Sequence, residues 1–343
     1  MADVTIRGAG IFGLSIAWAC VSQGARVAVI DPFGPGAGAS GGIVGALAPH
    51  VPENWNSKKA FQLESLLMAE GFWTGVREAG GVDPGYGRLG RLQPVADEAA
   101  LALARQRAGT AAALWRGEAV WEVFEGTGAG FEPASPTGYL IRDTLSARLH
   151  PRRGCAALVA ALRARGATVE RDGEERGIVL HATGAAGLAE LSQATGRAVG
   201  GAVKGQAALF AFEARDAPQL FVDGLHLVPH ADGTLAVGST SEREFDAATE
   251  TDGQLDTLIE RARVALPALR EAPVIERWAG LRPRSRSRAP MLGVHPLFPG
   301  QFIANGGFKI GFGMAPKVAE AMAALMLEGR DAIPEAFRVE ASM

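Results

Sequence analysis

The run Gly8-Ala9-Gly10-Ile11-Phe12-Gly13 constrains this chain more tightly than anything else in it. Val4-Thr5-Ile6 before it reads as a short strand, and the apolar stretch after it, to about Ser22, reads as a helix. In that context the glycines permit a tight turn, close approach of backbone to a pyrophosphate, and close packing of helix on strand. The helix N-terminus then offers unpaired N–H groups and the positive end of its dipole to the phosphates. A second strand over Ala25–Ile30 closes on Asp31, 18 residues past Gly13. A carboxylate there accepts hydrogen bonds from ribose hydroxyls and repels a 2′-phosphate, which favours FAD or NAD over NADP. The competing reading is a glycine turn that serves packing alone, with Asp31 capping the bend before Pro32. Arg7 is irregular, because a buried parallel strand ordinarily stays apolar.

Length and charge narrow the rest. A chain of 343 residues is enough for about two domains. Its 48% apolar and 21% charged residues are those of an ordinary globular protein, and 45 glycines with 19 prolines fall short of a disordered composition. A net charge of −3 gives no basic field for a polyanion, so no nucleic-acid partner is expected. Cys20 and Cys155 form no CxxC, and the six histidines form no HExxH pair. His226 and His230 are four apart, but Pro229 argues against a helix that would align them, so no metal site is expected. No apolar run reaches 18 residues and no cleavable leader is visible. The expectation is a cytoplasmic enzyme with no transmembrane segment; the residues fix no oligomeric state.

Apolar spacing predicts helices at 58–79, 97–116, 153–165, 252–270 and from about 314 to 328, with a strand at 177–180. From 200 to 245 the period falls to two, predicting antiparallel strands at 207–212, 226–229 and 234–239, and another strand follows at 274–278. Parallel βαβ texture lies in 1–80, 145–199 and 280–343, and antiparallel texture in 81–144 and 200–279. The fold class expected is α/β. A Rossmann-like cofactor domain, a parallel sheet with helices built from the first three segments, is interleaved with an α+β substrate domain on a mostly antiparallel sheet from the other two.

Two more regions carry chemistry. The small residues of the loop Ala37–Leu47 let backbone pass close to a flat ring or a pyrophosphate, the alternative being a flexible surface loop. Arg282, in Gly280-Leu281-Arg282-Pro283, lies in apolar sequence after a strand, where a guanidinium is costly unless it meets an anion. Its fork suits a carboxylate, supplied by a ligand or by an internal salt bridge. The glycine-rich stretch 305–313 reads as backbone laid against a cofactor and leading to a helix near Met314, or as a hairpin. Arg284, Arg286 and Arg288 read as solvated loop charges, or as receptors for a second anionic group on the substrate.

In order along the chain, GAGIFG, VAVIDP with ASGGIVGALAP, LHATG, VKGQ at 203–206, LVPHADGTLAVGST at 227–240, WAGLRPRS at 278–285 and NGGFKIGFGMAP at 305–316 resemble one family. It is the D-amino-acid oxidase superfamily of FAD-dependent oxidoreductases, and within it glycine oxidase and its bacterial relatives. The resemblance spans nearly the whole chain. It implies non-covalent FAD and oxidation of the C–N bond of glycine, a D-amino acid or an N-alkyl amino acid. Hydride would pass to flavin N5, leaving an imine that hydrolyses to an oxo acid, and oxygen or an electron carrier would accept the electrons. The alternatives are a flavin-dependent 2-hydroxy-acid dehydrogenase and an NAD-dependent dehydrogenase with the same opening motif. Beside Gly8, Gly10 and Gly13, the resemblance places Ile11, Phe12, Asp31, Pro32, Ala39, Ser40, Val44, Gly45 and Ala46 on FAD. It adds the run Gly307, Phe308, Lys309, Ile310, Gly311, Phe312 and Gly313. Arg282 falls on the family's carboxylate-binding arginine, and His226 and Lys309 would face the substrate with it. Glycine oxidase has a tyrosine at the place of His226 and an arginine at that of Lys309. His226 is expected to donate a hydrogen bond in a pH-dependent way, and Lys309 to carry charge without a planar fork. The stretch Glu170–Gly177 is shorter than the family's strand pair there.

Overall fold

The computed structural model describes residues 1–128 and 130–343. In chain order the first elements are β1 (Val4–Arg7), α1 (Ile11–Ser22), β2 (Val27–Ile30), β3 (Ala46–Leu47), α2 (Ser57–Gly80), β4 (Arg91–Pro94), α3 (Glu98–Leu114), β5 (Trp121–Glu125) and β6 (Tyr139–Asp143). Then come β7 (Ala147–Arg148), α4 (Pro151–Ala164), β8 (Thr168–Glu170), β9 (Ile178–His181), α5 (Gly184–Thr195), β10 (Gly200–Ala211), β11 (Gln219–Val222), β12 (Leu225–Pro229) and β13 (Thr234–Gly238). The chain ends with α6 (Gly253–Ala265), β14 (Val274–Ser285), β15 (Met291–Val294), β16 (Phe302–Asn305) and α7 (Gly311–Glu328).

Val4 and Ile6 are fully buried, as a strand covered on both faces requires, and β1 sits inside a six-stranded sheet ordered β15-β16-β9-β1-β2-β8. Its pairs are parallel except β15 with β16. Helix α1 packs on α7 and α4, and α2 packs on the same two, around a core that includes Leu14, Ile16, Trp73, Leu158 and Met322. The second sheet has eight strands, β14-β10-β13-β12-β11-β4-β6-β5, antiparallel except β4 with β11. Phe210, Leu235 and Val237 of this sheet form its core with Leu255, Leu258 and Ile259 of α6. The first sheet draws its strands from 1–80, 145–199 and 280–343, and the second from 81–144 and 200–279, except that β14 runs on past residue 279. No helix among the described residues is long and apolar enough to cross a membrane.

Three expectations need correction. The strand expected at 274–278 continues to Ser285, so Arg282 lies inside a strand. Glycine and proline at 280 and 283 argue against that extension in sequence. β14 is an edge strand, however, and an edge tolerates a residue without an N–H at Pro283. Helix α7 begins at Gly311, which makes 311–313 its first turn. Helix α5 went unanticipated because it buries only Leu188 and Leu191 and shows little apolar periodicity.

Capping separates the helices into two groups. Asn56, Asp97 and Asp252 side chains accept from the first turns of α2, α3 and α6. Helices α1, α4, α5 and α7 receive no bond from the side chain of their own N-cap residue, and α4 starts on Pro151. The N-termini of α1, α5 and α7 open on the same cleft.

Candidate active site

A cleft of about 1520 Å³ runs from the ends of β1, β2 and β9 to the faces of β11, β12 and β14. At the first-sheet end, Gly8 has φ +106°, and a Cβ there would overlap the Ala182 carbonyl at the end of β9. A Cβ on Gly13 would overlap the Gly8 carbonyl, so this third glycine serves helix–strand contact and does not line the cleft. Gly10 caps α1 in extended geometry and faces Ser40. The Ile11 amide donates to Ser40 Oγ at 2.9 Å, which ties the Ala37–Leu47 loop to the helix N-terminus. The amide of Phe12 has no acceptor among the described residues and faces the cleft side of that turn.

Asp31 both caps the bend and faces the cleft. Its Oδ2 accepts from the Ala9 amide at 2.8 Å and its Oδ1 from the Phe33 amide at 3.0 Å, so it caps the bend, yet with Pro32 it also lines the cleft. Each oxygen keeps a second lone pair for a ribose hydroxyl. Arg7 is explained by an ion pair with Glu175 on the cleft rim. The loop is not a mobile surface segment: Ile43 is fully buried, and Gly45 lies so close to the Leu149 carbonyl that no side chain fits. Ala39, Ser40, Val44, Gly45 and Ala46 all line the cleft.

The 306–313 stretch is a turn into α7, not a hairpin. The Phe308 amide donates to the Pro283 carbonyl at 3.0 Å and the Ile310 amide to Gly307 at 3.0 Å. Residues 307–312 line the cleft; Gly313 does not, and packs on Leu66 and Leu47.

The second-sheet end gathers the cations. Arg282 is 7% exposed, and its Nη1 donates to the Thr240 carbonyl at 3.2 Å. It has no ion pair among the described residues. Glu242, the nearest acid to act on it, is held by Lys204 at 3.5 Å and Gln206 at 3.0 Å. Burial lowers the Arg282 pKa to about 10, against the opposing pull of Glu242. The guanidinium lies across β10 over Gly205, where a Cβ would overlap it. Register explains this: Gly205 pairs with Gly280, and Arg282 is the next residue on that face of β14.

His226 lies on β12 beside Phe221, with ring centroids 4.7 Å apart, and its Nδ1 is buried without a hydrogen-bond partner. Burial, then the charges of Arg91 and Lys309, push its pKa down to about 3. That runs against the pH-dependent donation expected of His226. The ring stays neutral through physiological pH, because it is buried and the charges acting on it are positive. Lys309 is lowered by desolvation and by Arg282.

Several neighbours in the cleft wall carry no mark in the sequence. Arg91 on β4 is buried and pairs with Asp143 of β6 at 2.8 Å, and it lies 5.7 Å from the Phe221 ring centroid. Gln62 of α2 accepts the His50 amide at 2.8 Å. Outside the cleft lining, His150, His230 and Asp232 place ligand atoms within 4.8 Å of one another, a kind of trio that spacing rules do not find. Of Arg284, Arg286 and Arg288, none lines the cleft; Arg284 is part of β14, not of a loop, and lies 5.5 Å from the Phe308 ring centroid, and Arg286 donates to the Met343 carbonyl at 3.3 Å.

These histidines predict acid sensitivity. Burial holds His226 and His230 at about 3 and His295 at about 4. An unfolded histidine titrates near ~6.5, so below that pH the unfolded chain binds more protons than the folded one. Stability is complete above about pH 6.5 and falls as the pH drops, by at most about 1.4 kcal/mol per unit for each group. Thermal unfolding is expected to show a lower Tm at pH 5 than at pH 7.5, with a shallower slope in His230→Gln. A Tm independent of pH across that range contradicts this.

The residues fit FAD. Three uncapped helix N-termini suit a pyrophosphate, and backbone at Gly8 and Gly45 is packed too closely to carry side chains.

Comparison with known proteins agrees. The sequence model of the family described as FAD dependent oxidoreductase (DAO) matches residues 3–325. A glycine oxidase of Pseudomonas aeruginosa is 34% identical over 132 residues, which is 38% of this chain and about a third (36%) of that protein. A glycine oxidase of Geobacillus kaustophilus is 26% identical over 92% of this chain and 90% of its own length. Its crystal structure superposes with a TM-score of 0.82, at 22% identity, over 98% of both chains. That of iminodiacetate oxidase from Chelativorans sp. BNC1 gives 0.80, at 21% identity, over 98% of both. At these identities the two structures speak for the fold.

Proposed function

This chain belongs to the FAD dependent oxidoreductase family, and on that premise we propose that it oxidises the C–N bond of a small amino acid held by its carboxylate on Arg282. One observation carries the reading: a buried guanidinium on the cleft wall with no carboxylate of its own. Leaving such a charge unpaired is costly, so its natural counter-ion is a ligand. The glycine oxidases among the relatives support an amino acid as that ligand.

FAD would be held by the Gly8–Phe12 turn, Asp31, the Ala39–Ala46 loop and residues 307–312. When bound, it supplies the two-electron acceptor for the bond being oxidised. The chain's own part is placement. Arg282 fixes the carboxylate by a two-pronged hydrogen bond, which sets the position of the α-carbon and supplies much of the rate as orientation. Neutral His226 forms part of the wall at this end without adding charge. Arg91, neutralised by Asp143, contributes field and wall. Among the described residues no acid–base pair is placed at this end, which suits a substrate reacting with its amine already neutral. We also assign the segments 1–80, 145–199 and 280–343 to FAD and 81–144 and 200–279 to the substrate, supported by the strand membership of the two sheets. The electron acceptor is oxygen or an electron carrier.

Product analysis tests this. Glycine, D-alanine or N-methylglycine is expected to yield an oxo acid with one equivalent of ammonia or amine. A chain that yields oxo acid only from 2-hydroxy acids, with no nitrogen product, is a hydroxy-acid dehydrogenase and the proposal fails.

A further inference from the structure

The substrate end of the cleft holds one cation more than a single carboxylate needs. Arg282 comes from β14, and Lys309 from the turn between β16 and α7. That turn is pinned to β14 by the hydrogen bond from Phe308 to Pro283, the residue after Arg282, so Lys309 is set beside the Arg282 strand. Its Nζ lies 5.8 Å from the Phe308 ring centroid, with Arg284 against the same ring. The charge of Arg282 is felt at Lys309, and that of Lys309 at His226, so the three share one field.

Glu242 pulls on Arg282 from outside the cleft lining, but it is held by Lys204 and Gln206. The carboxylates that line the cleft are Asp31, Glu175 and Glu190. Asp31 is tied to Ala9 and Phe33, and Glu175 to Arg7, at the first-sheet end. Glu190 lies on α5, and neither Arg282 nor Lys309 has an ion pair among the described residues. Arg91 is already neutralised by Asp143. An amino acid with one carboxylate and a neutral amine brings one negative charge to Arg282 and leaves Lys309, exposed on the cleft lining, without a counter-ion.

We infer that the substrate is a dicarboxylic amine, its α-carboxylate on Arg282 and its second carboxylate on Lys309. The inference rests on the amino-acid reading above. An ammonium on a flexible stem suits a distal carboxylate, which needs charge in place more than a planar fork. The second carboxylate takes no part in the oxidation; it orients the amine and adds to the attraction of the field. Lys309 thereby does what Arg284, Arg286 and Arg288 were candidates to do in the sequence.

The test uses the FAD-loaded enzyme and two substrate pairs: D-aspartate against D-2-aminobutyrate, and N-(carboxymethyl)glycine against N-ethylglycine. In at least one pair kcat/KM is expected to favour the dicarboxylate tenfold or more, with the margin shrinking as salt rises. Lys309→Met is expected to cut that ratio at least tenfold, through KM, and Lys309→Arg to preserve most of it. Succinate and butyrate, titrated by their perturbation of the flavin spectrum, give a readout without turnover; succinate is expected to bind at least tenfold tighter. If Lys309→Met does not fold, the wild-type ratios and these two dissociation constants decide. Ratios within twofold of one in both pairs, or a ratio unmoved in Lys309→Met, overturn the inference. If monocarboxylates are oxidised without such preference, only the second subsite falls; if no amino acid is oxidised, the proposed function falls with it.

Discussion

Arg282→Ala is expected to lower kcat/KM for the preferred amino acid by about 10²–10³-fold, mostly through KM, while FAD stays bound. The size follows from the contact. A charge-assisted, two-pronged bond to a carboxylate in a buried site is worth about 3–4 kcal/mol when one partner is truncated. Each ~1.4 kcal/mol is tenfold. The stability effect runs the other way from most core truncations. Arg282 is buried with a single carbonyl contact, so its loss relieves an unpaired charge, and Tm is expected to hold or rise. Arg282→Lys keeps the charge and loses the fork, and is expected to fall between the two. A kcat/KM within threefold of wild type in Arg282→Ala removes the carboxylate assignment.

Gly205→Ala is expected to come close to that loss without touching the ligand. A Cβ at 205 would occupy the space of the guanidinium, and the flexible arginine must give way before the strand does. The β10–β14 register places no other side chain there, so the fold is expected to survive with a Tm change of a few degrees. Activity is expected to fall at least 30-fold, with KM raised and flavin content unchanged. Gly205→Ala combined with Arg282→Ala is then expected to be little worse than Arg282→Ala alone, since both act on one contact. Additive losses in the double variant show that Gly205 acts elsewhere.

The cofactor half of this molecule was legible because its signals are local. The turn at Gly8–Gly13, Asp31 at the end of the next strand and the glycines before α7 each work within a few residues of themselves. Even there, the sequence could not separate Gly13 and Gly313, which pack, from their neighbours on the cleft. The substrate half was less legible because its logic crosses strands. Arg282 stands out as a charge in apolar sequence, yet Gly205, which makes room for it, carries no mark in VKGQ. Arg91 looks like any arginine until Asp143 of another strand is beside it. The low pKa of His226 has the same origin: burial in the folded wall lowers it most, and the cations that add to it come from β4 and from the turn before α7. Edge position decided the misplaced end of β14, since Pro283 is tolerated there only because no further strand asks for its N–H.

Anaerobic mixing of the FAD-loaded protein with small amino acids, following the flavin absorbance, is the most direct trial of the reading. Bleaching by an amino acid, lost in Arg282→Ala at the same concentration and recovered at much higher concentration, is the result expected. A flavin that no amino acid bleaches, or a protein that will not take up FAD at all, contradicts it.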